Sequence, residues 1–152
     1  MLRLSSKDLR TLANQREAIH RGHKSSRPLS PHYEYVGLKG EQAVAEYLGL
    51  EIDTTLRPRG DNGRDMVFRG VTIDAKTFRR PYCLLVEKGH VHEGNVYVLV
   101  GYRESDDTTE LLGWEWGSAV ASAPVKDFKR GVDNHYIPAA QLRQMSTIWT
   151  EL

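Results

Sequence analysis

The first part of the chain spaces its hydrophobic and polar residues as helices do. Leu9 and Leu12 follow Ser5-Ser-Lys-Asp8, which resembles a capping box, and together they predict a helix from about Ser6 to Arg21. The stretch from Arg21 to His32 is polar, basic and proline-containing, and it therefore predicts a loop or a flexible linker.

A second helix is predicted from about Tyr35 to Leu48, with Gly49 as its C-cap. Its hydrophobic stripe includes Val44, and Glu41 falls on the same stripe. A carboxylate on the core-facing side of a helix is costly unless a metal ion or a lysine compensates its charge. The alternative is a glutamate at the edge of the stripe that reaches solvent.

Short runs rich in β-branched and aromatic residues follow, and they predict a series of strands. The last of these strands places Trp114 and Trp116 on one face, which is typical of core or interface residues. The predicted strands are Ile52–Leu56, Met66–Phe68, Val71–Ile73, Tyr82–Glu87, Asn95–Tyr102 and Glu110–Trp116, with short helical segments at Ser118–Ser122 and Ala139–Gln144. A helix, a run of strands and then small helices predict an α/β or α+β fold.

Two of these strands form a β-hairpin with ionisable side chains at its ends. Arg69-Gly70 supplies a tight turn between them. Because side chains alternate along a strand, Asp74 and Lys76 point the same way, and Asp65 lies where the first strand begins. This geometry gathers two hard oxygen ligands for a divalent cation beside an amine, which suits hydrolysis of a phosphodiester. The alternative interpretation is an exposed Asp–Lys ion pair with the first aspartate as a turn cap.

An acidic residue at a strand start, a hairpin and an Asp-x-Lys triplet together resemble the PD-(D/E)xK nuclease superfamily. Asp65, Asp74 and Lys76 match its signature positions, and Glu41 fits the glutamate that many members add from the preceding helix. Arg64 stands where the name-giving proline would precede the acid. The resemblance implies a restriction-endonuclease-like core, a mixed central β-sheet flanked by helices, of the small type that is frequent in phages and mobile elements.

The resemblance also implies a cofactor and a set of catalytic residues. Mg²⁺, for which Mn²⁺ would substitute, would be bound by Asp65, Asp74, the backbone carbonyl of Ala75 and Glu41. Lys76 would stabilise the charge that develops near the scissile phosphate. The implied catalytic group is Glu41, Asp65, Asp74 and Lys76, and a homodimer is one implied arrangement for cutting two strands.

The composition limits the classes of protein to which the chain can belong. The chain has 152 residues, with 39% hydrophobic and 27% charged residues, which is ordinary for a soluble globular protein. A single cysteine, Cys83, excludes an internal disulfide, and no apolar run is long enough to cross a bilayer. The expected location is the cytoplasm. No Gly-Lys-Ser/Thr follows the glycines of residues 57–63, so no nucleotide cofactor is expected.

Charge is unevenly distributed, although the net charge is only +1. Residues 1–40 carry eight Lys/Arg against three acids, and further basic residues surround the hairpin. A basic end and a basic site predict a polyanionic partner, which here is DNA, while the alternative is an ordinary solvated surface. The predicted nucleic-acid contacts are Lys7, Arg10, Arg16, Arg21, Lys24, Arg57, Arg59, Arg64 and Arg79.

These observations predict two parts, a basic helix and linker over residues 1–34 and a nuclease-like core over residues 35–152. The predicted function is a metal-dependent deoxyribonuclease. Two alternatives remain at this point. One is a non-catalytic nucleic-acid-binding module of the same fold. The other is a protein-interaction domain that uses the acids between Glu104 and Glu115.

Overall fold

A computed structural model of the chain describes residues 6–20, 31–50, 66–128 and 131–152. Within these ranges, two helices come first, and the strands of two β-sheets follow with short helical segments after them. The helices are α1 (Ser6–His20), α2 (Pro31–Leu48), α3 (Gly117–Ala121) and α4 (Ile148–Glu151), with 3₁₀ turns at Ala139–Gln141 and Met145–Thr147. The strands are β1 (Met66–Phe68), β2 (Val71–Phe78), β3 (Cys83–Glu87), β4 (Val96–Arg103), β5 (Thr108–Trp116), β6 (Val125–Asp127) and β7 (Asp133–Pro138).

The two long predicted helices are present, but the second begins earlier than its pattern indicated. Helix α2 starts at Pro31, not at Tyr35, so the end of the predicted linker is helical. Proline is tolerated in the first turn of a helix because the N–H that it lacks has no intrahelical partner there. The predicted C-cap is confirmed, since Gly49 has φ +72° and the N–H of Leu50 donates to the carbonyl of Ala45 at 2.7 Å.

The larger sheet has four strands in the order β1-β2-β4-β5. Strands β2 and β4 are parallel, and the other neighbours are antiparallel, so the sheet is mixed as expected. A second, three-stranded antiparallel sheet has the order β3-β7-β6 and was not predicted. The coarse prediction of a mixed α+β fold is confirmed. The predicted strand Ile52–Leu56 lies outside the described residues.

Different layers cover the two faces of the larger sheet. On one face, Val44 and Leu48 of α2 pack with Ile73 of β2 and with Val96 and Val98 of β4. On the other face, buried residues of β4 pack against the second sheet in a separate cluster that contains Leu84, Val86, Tyr97, Leu99 and Ile137. A layer of helices, a mixed sheet and a small antiparallel sheet therefore form the core, held by burial of apolar side chains.

Helix α1 is packed onto α2 and is not a detached arm. Leu9 and Ala13 of α1 are buried together with Tyr35 and Leu38 of α2 and Tyr102 of β4. Among the described residues, no helix is both long and apolar enough to cross a membrane.

The C-terminal segment closes the core around Trp114. Its indole is fully buried, and Nε1 donates to the carbonyl of Gln144 at 3.1 Å and to Oγ1 of Thr147 at 3.0 Å. The ring of Trp116 lies on the same face at 5.4 Å between centroids, which confirms the predicted pair. Ile148 of α4 is also fully buried in this cluster.

Candidate functional site

The predicted hairpin is present, and its turn has the geometry that a two-residue hairpin connection requires. Met66 pairs with Ile73, and Phe68 pairs with Val71. Arg69 has φ +51° and Gly70 has φ +79°, which is the pattern of positive φ values in a type I′ turn. The sequence therefore specifies this hairpin locally, through the turn and the flanking hydrophobic residues.

Strand β2 runs from the hairpin into a parallel pairing with β4, and the candidate residues lie on the paired part of the strand. The described pairs of β1 with β2 are Met66 with Ile73, Val67 with Thr72 and Phe68 with Val71. Strand β2 pairs with β4 from Ile73 to Phe78, so Asp74 and Lys76 are both held at fixed positions beside β4.

Asp74 and Lys76 share one face of β2, as the alternation of the strand predicted. Ile73 and Ala75 lie on the other face, in or against the cluster formed with α2. The Nζ atom of Lys76 is 3.4 Å from Oδ2 of Asp74. The Asp74 side chain is only 10% exposed, while that of Lys76 is 35% exposed. A shielded carboxylate is therefore held beside an ammonium group that solvent, or a ligand, can reach.

This pair differs from an ordinary surface ion pair because its acid is shielded. An exposed pair contributes about 0–1 kcal/mol to stability, and its partners are seldom fixed. Removing water from a carboxylate costs several kcal/mol, which the partner offsets only when its geometry is good. A shielded carboxylate needs compensation of this kind, and shielded acid–base pairs are found both at functional sites and in structural ion-pair networks.

Tyr97 forms the floor beside the pair. It is fully buried on β4 and is the register partner of Asp74 across the parallel strands. Its hydroxyl accepts a hydrogen bond of 2.9 Å from the backbone N–H of His92. Burial and the charge of Asp74 raise the pKa of Tyr97, against the opposing effects of this hydrogen bond and of Lys76. The hydroxyl thus stays protonated next to the acid–lysine pair.

The segment that leads into β4 is fixed against the same end of the sheet. The N–H of Asn95 donates to the carbonyl of His92 at 3.0 Å, and the carbonyl of Asn95 accepts from Gly117 at 2.7 Å. Since His92 also binds Tyr97, these contacts link the border of the site to the start of α3. Sequence reasoning missed Tyr97 because its position depends on a parallel pairing between distant segments.

Glu41 lies on α2, which packs on the face of β2 opposite to Asp74 and Lys76. Its neighbour Gly40 approaches β2 so closely that a Cβ atom there would collide with the side chain of Thr77. The Oε2 atom of Glu41 is shielded from solvent, as expected for a residue on the inner stripe. The assignment of Glu41 as a metal ligand stays a prediction.

Several predicted site residues fall outside the part of the chain that the structure describes. Asp65 is one of them, so Glu41 and Asp74 are the predicted acidic ligands that can be located. Within the described ranges, no group of three or more His, Cys, Asp or Glu residues is arranged to hold a metal ion. The other predicted residues that lie outside are Arg21, Lys24, Arg57, Arg59 and Arg64, together with the side chains of Lys7 and Arg16.

The two predicted DNA-contacting arginines that are described both lie against aromatic rings. The guanidinium of Arg10 is 3.9 Å from the ring centroid of Tyr35. Arg79 lies over Tyr102 at 5.7 Å and donates from Nε to Oε2 of Glu104 at 3.2 Å. Hydrogen bonding and the charge of Arg79 hold the pKa of Glu104 below its usual range. Arg79 is therefore partly neutralised within the chain.

The turn between β4 and β5 holds a polar network that the sequence did not predict. Asp107 accepts hydrogen bonds from the hydroxyls of Tyr35 at 2.6 Å and Tyr102 at 2.7 Å, and Lys39 is 3.6 Å away. Burial raises the pKa of Asp107, but these hydrogen bonds and the charge of Lys39 outweigh it and hold the pKa low. The network ties the turn to α2 and has a structural role.

Comparison of the chain with protein-family models, with curated proteins and with solved structures finds no match.

Proposed function

We propose that this chain is a metal-dependent deoxyribonuclease that hydrolyses DNA phosphodiester bonds at the site of Asp74 and Lys76. The observation that carries the proposal is the contact of 3.4 Å between a shielded carboxylate and the ammonium group of a partly exposed lysine on one face of β2. This pair follows a hairpin in the order that resembles the PD-(D/E)xK nucleases. The substrate is proposed to be DNA because basic residues concentrate in the N-terminal segment and around the hairpin.

The donor chemistry suits a hard divalent cation such as Mg²⁺, which takes oxygen ligands and needs only one or two carboxylates from the protein. Asp74 would supply one carboxylate, and the proposed further ligands of the same metal ion are Asp65 and the carbonyl of Ala75. Glu41, on the helix that covers the other face of β2, would bind a second metal ion or orient a metal-bound water, as the resemblance implies. When bound, the metal ion would supply an activated water and neutralise charge on the phosphate.

The residues of the chain would have separate roles around the phosphate. Lys76 would place its ammonium beside the oxygen atoms on which negative charge develops, where preorganised charge is most effective. Asp74 fixes the position of that ammonium through their 3.4 Å contact. The buried ring of Tyr97 would exclude water behind the acid, which strengthens electrostatic interactions in the site.

The protein-interaction alternative loses support from the arrangement of the acids between β4 and β5. Glu104 is paired with Arg79, Asp106 with Arg103, and Glu115 with Arg143. Acids that are already paired within the chain present less negative charge to a partner. The non-catalytic DNA-binding module is kept as an outcome of the test below.

The test is metal-dependent cleavage of labelled DNA by the wild-type protein and by Lys76→Ala. The substrates are linear duplex, single strand, nicked, forked and four-way junction DNA, each with Mg²⁺, Mn²⁺ or EDTA. Wild type should cleave at least one substrate only with metal. Lys76→Ala should lower that rate about 100- to 1,000-fold, because removing one charge-stabilising group typically has such an effect.

Lys88→Ala is the matched control, since Lys88 is an exposed lysine in the turn after β3. It should leave cleavage unchanged. Equal rates for Lys76→Ala and wild type would contradict the role of the lysine. Tight DNA binding at low salt without any cleavage would support the non-catalytic module instead.

A further inference from the structure

A cluster of aromatic rings and one arginine lies at the tip of the hairpin, away from the acid–lysine pair. It consists of Tyr47 of α2, Phe68 and Arg69 of the hairpin and Trp149 of α4, and we call it the hairpin-tip patch. Trp149 is 39% exposed, which is unusual for a residue type that is normally well buried. An exposed tryptophan beside an exposed arginine offers both a stacking surface and a positive charge.

The ring of Trp149 is held in place by its neighbours. Phe68 meets it edge-on, with 5.3 Å between centroids and an interplanar angle of 88°. Tyr47 contacts it at 5.7 Å in a tilted arrangement. The backbone carbonyl of Trp149 also accepts a hydrogen bond of 2.7 Å from Nη1 of Arg69. A ligand that stacks on this ring would therefore lose little side-chain entropy on binding, since the ring is already ordered.

Arg69 occupies a backbone position that other residues adopt more easily. Its φ of +51° is the left-handed conformation, which costs a residue with a Cβ atom roughly 1–2 kcal/mol and favours Gly, Asn or Asp. The guanidinium lies 4.9 Å from the centroid of Phe68 and 5.7 Å from that of Trp149. An arginine in place of the usual asparagine therefore sets a cation over the exposed ring of Trp149.

We propose that the hairpin-tip patch binds an unpaired nucleotide of single-stranded DNA. The base would stack on Trp149, and Arg69 would contact the adjoining phosphate. Stacking of a base on an aromatic side chain tolerates any sequence, and a neighbouring arginine adds cation–π and phosphate contacts. The inference rests on the proposed nuclease function and names single-stranded DNA as the substrate class of the site at Asp74 and Lys76.

The position of the patch relative to the acid–lysine pair favours a flexible strand over a duplex. Phe68 and Trp149 lie on the face of the hairpin that α2 covers, whereas Asp74 and Lys76 lie on the opposite face. Along β2, Val71 at the turn and Asp74 are about 10 Å apart at the usual rise of a strand. A single strand can bend around the hairpin edge to reach both faces, whereas duplex DNA is stiff over about 150 base pairs.

The test is equilibrium binding in EDTA, so that cleavage is not required. Three labelled ligands of equal length are compared: oligothymidylate, an abasic oligonucleotide of equal charge, and a blunt duplex. Wild type should bind oligothymidylate roughly 10-fold or more tightly than the abasic strand, because a stacked base contributes strongly to affinity. Trp149→Leu should remove this preference and leave duplex affinity unchanged.

Two further variants keep the test decisive if Trp149→Leu does not fold. Trp149→Phe keeps the apolar packing on Phe68, and in it oligothymidylate should no longer quench the exposed-tryptophan fluorescence that it quenches in wild type. Arg69→Asn suits the positive φ and removes the cation. It should therefore reduce the slope of log affinity against log salt concentration by about one, the value for one lost phosphate contact. Trp116→Phe is the matched control and should retain both the quenching and the preference.

Equal affinity of wild type for oligothymidylate and for the abasic strand would overturn the inference. Unchanged oligothymidylate binding and quenching in the Trp149 variants would also overturn it. The same holds if Trp149→Leu lost affinity for the duplex as strongly as for oligothymidylate. Base-dependent binding that requires Trp149, found together with no metal-dependent cleavage, would contradict the proposed nuclease activity and still support nucleotide binding at the patch. The two failures are thus distinguishable.

Discussion

At the scale of single residues, the structure keeps two of the predicted catalytic residues in contact and places a third, Glu41, on the helix that covers the other face of the sheet. Asp74 and Lys76 meet as their spacing predicted, because alternation along a strand is a local property. Tyr97 joins them through a parallel strand pairing that no local pattern encodes. Glu41 was placed on the inner stripe of its helix by periodicity, yet periodicity cannot say which face of the sheet that helix covers.

Asp107 gives a pH-dependent prediction at this scale. Its folded-state pKa is depressed, so its stabilising effect is present above the unfolded pKa of about 3.9 and is lost as the pH falls through the lower folded value. Asp107→Asn should lower the free energy of unfolding by about 1 kcal/mol at neutral pH, allowing for screening at a partly exposed carboxylate. Urea titrations at neutral pH and near pH 3 measure this difference.

Asparagine is the appropriate replacement because Asp107 has φ +56°, a conformation that asparagine tolerates. The difference between variant and wild type should shrink at the acidic pH. Glu110→Gln, an exposed change on β5, is the control and should have little effect. A deficit for Asp107→Asn that is equally large at both pH values would contradict the ionic origin of the stabilisation.

At the scale of elements, predictions succeeded where the signal was local and failed where it was not. The hairpin was predictable because Arg69-Gly70 encodes its turn, and the end of α2 because Gly49 encodes its cap. Helix α2 begins earlier than predicted, because a proline breaks a helix in its interior but is tolerated in the first turn, where Pro31 lies. Strand β6 was missed because all three of its residues are exposed and show no alternation.

The close contact between α2 and β2 leads to a prediction for Gly40. Alanine there should improve helix propensity by about 1 kcal/mol, but its methyl group would collide with Thr77 on the strand that carries the site. Overpacking of this kind typically costs about 1–3 kcal/mol, so Gly40→Ala should be destabilised in thermal or urea unfolding. Gly37 offers the matched control in the same helix.

A Cβ atom on Gly37 would meet nothing within 4 Å, so Gly37→Ala should be neutral or stabilised. Adding Thr77→Ala should restore part of the stability of Gly40→Ala, because it removes the colliding hydroxyl. If Gly40→Ala were as stable as Gly37→Ala, the close packing of α2 on β2 would be refuted.

At the scale of the whole molecule, the sequence allowed the fold class to be predicted but not the layer arrangement. Helices were expected to flank the central sheet, whereas β3, β7 and β6 form a second sheet against one of its faces. Pairings between segments far apart in sequence, such as β3 with β7, depend on the tertiary context of the whole chain. The consequence for function is that the acid–lysine pair lies on the face that carries this second sheet.

The most direct test of the central claim is the rate of metal-dependent DNA cleavage by Asp74→Asn beside wild type. The substitution keeps the size of the side chain and removes the charge that would hold the metal ion and Lys76. With Mg²⁺ in excess, the account predicts cleavage by wild type and a loss of about 100-fold or more in Asp74→Asn, with folding preserved in both. Cleavage by Asp74→Asn at the wild-type rate would contradict it.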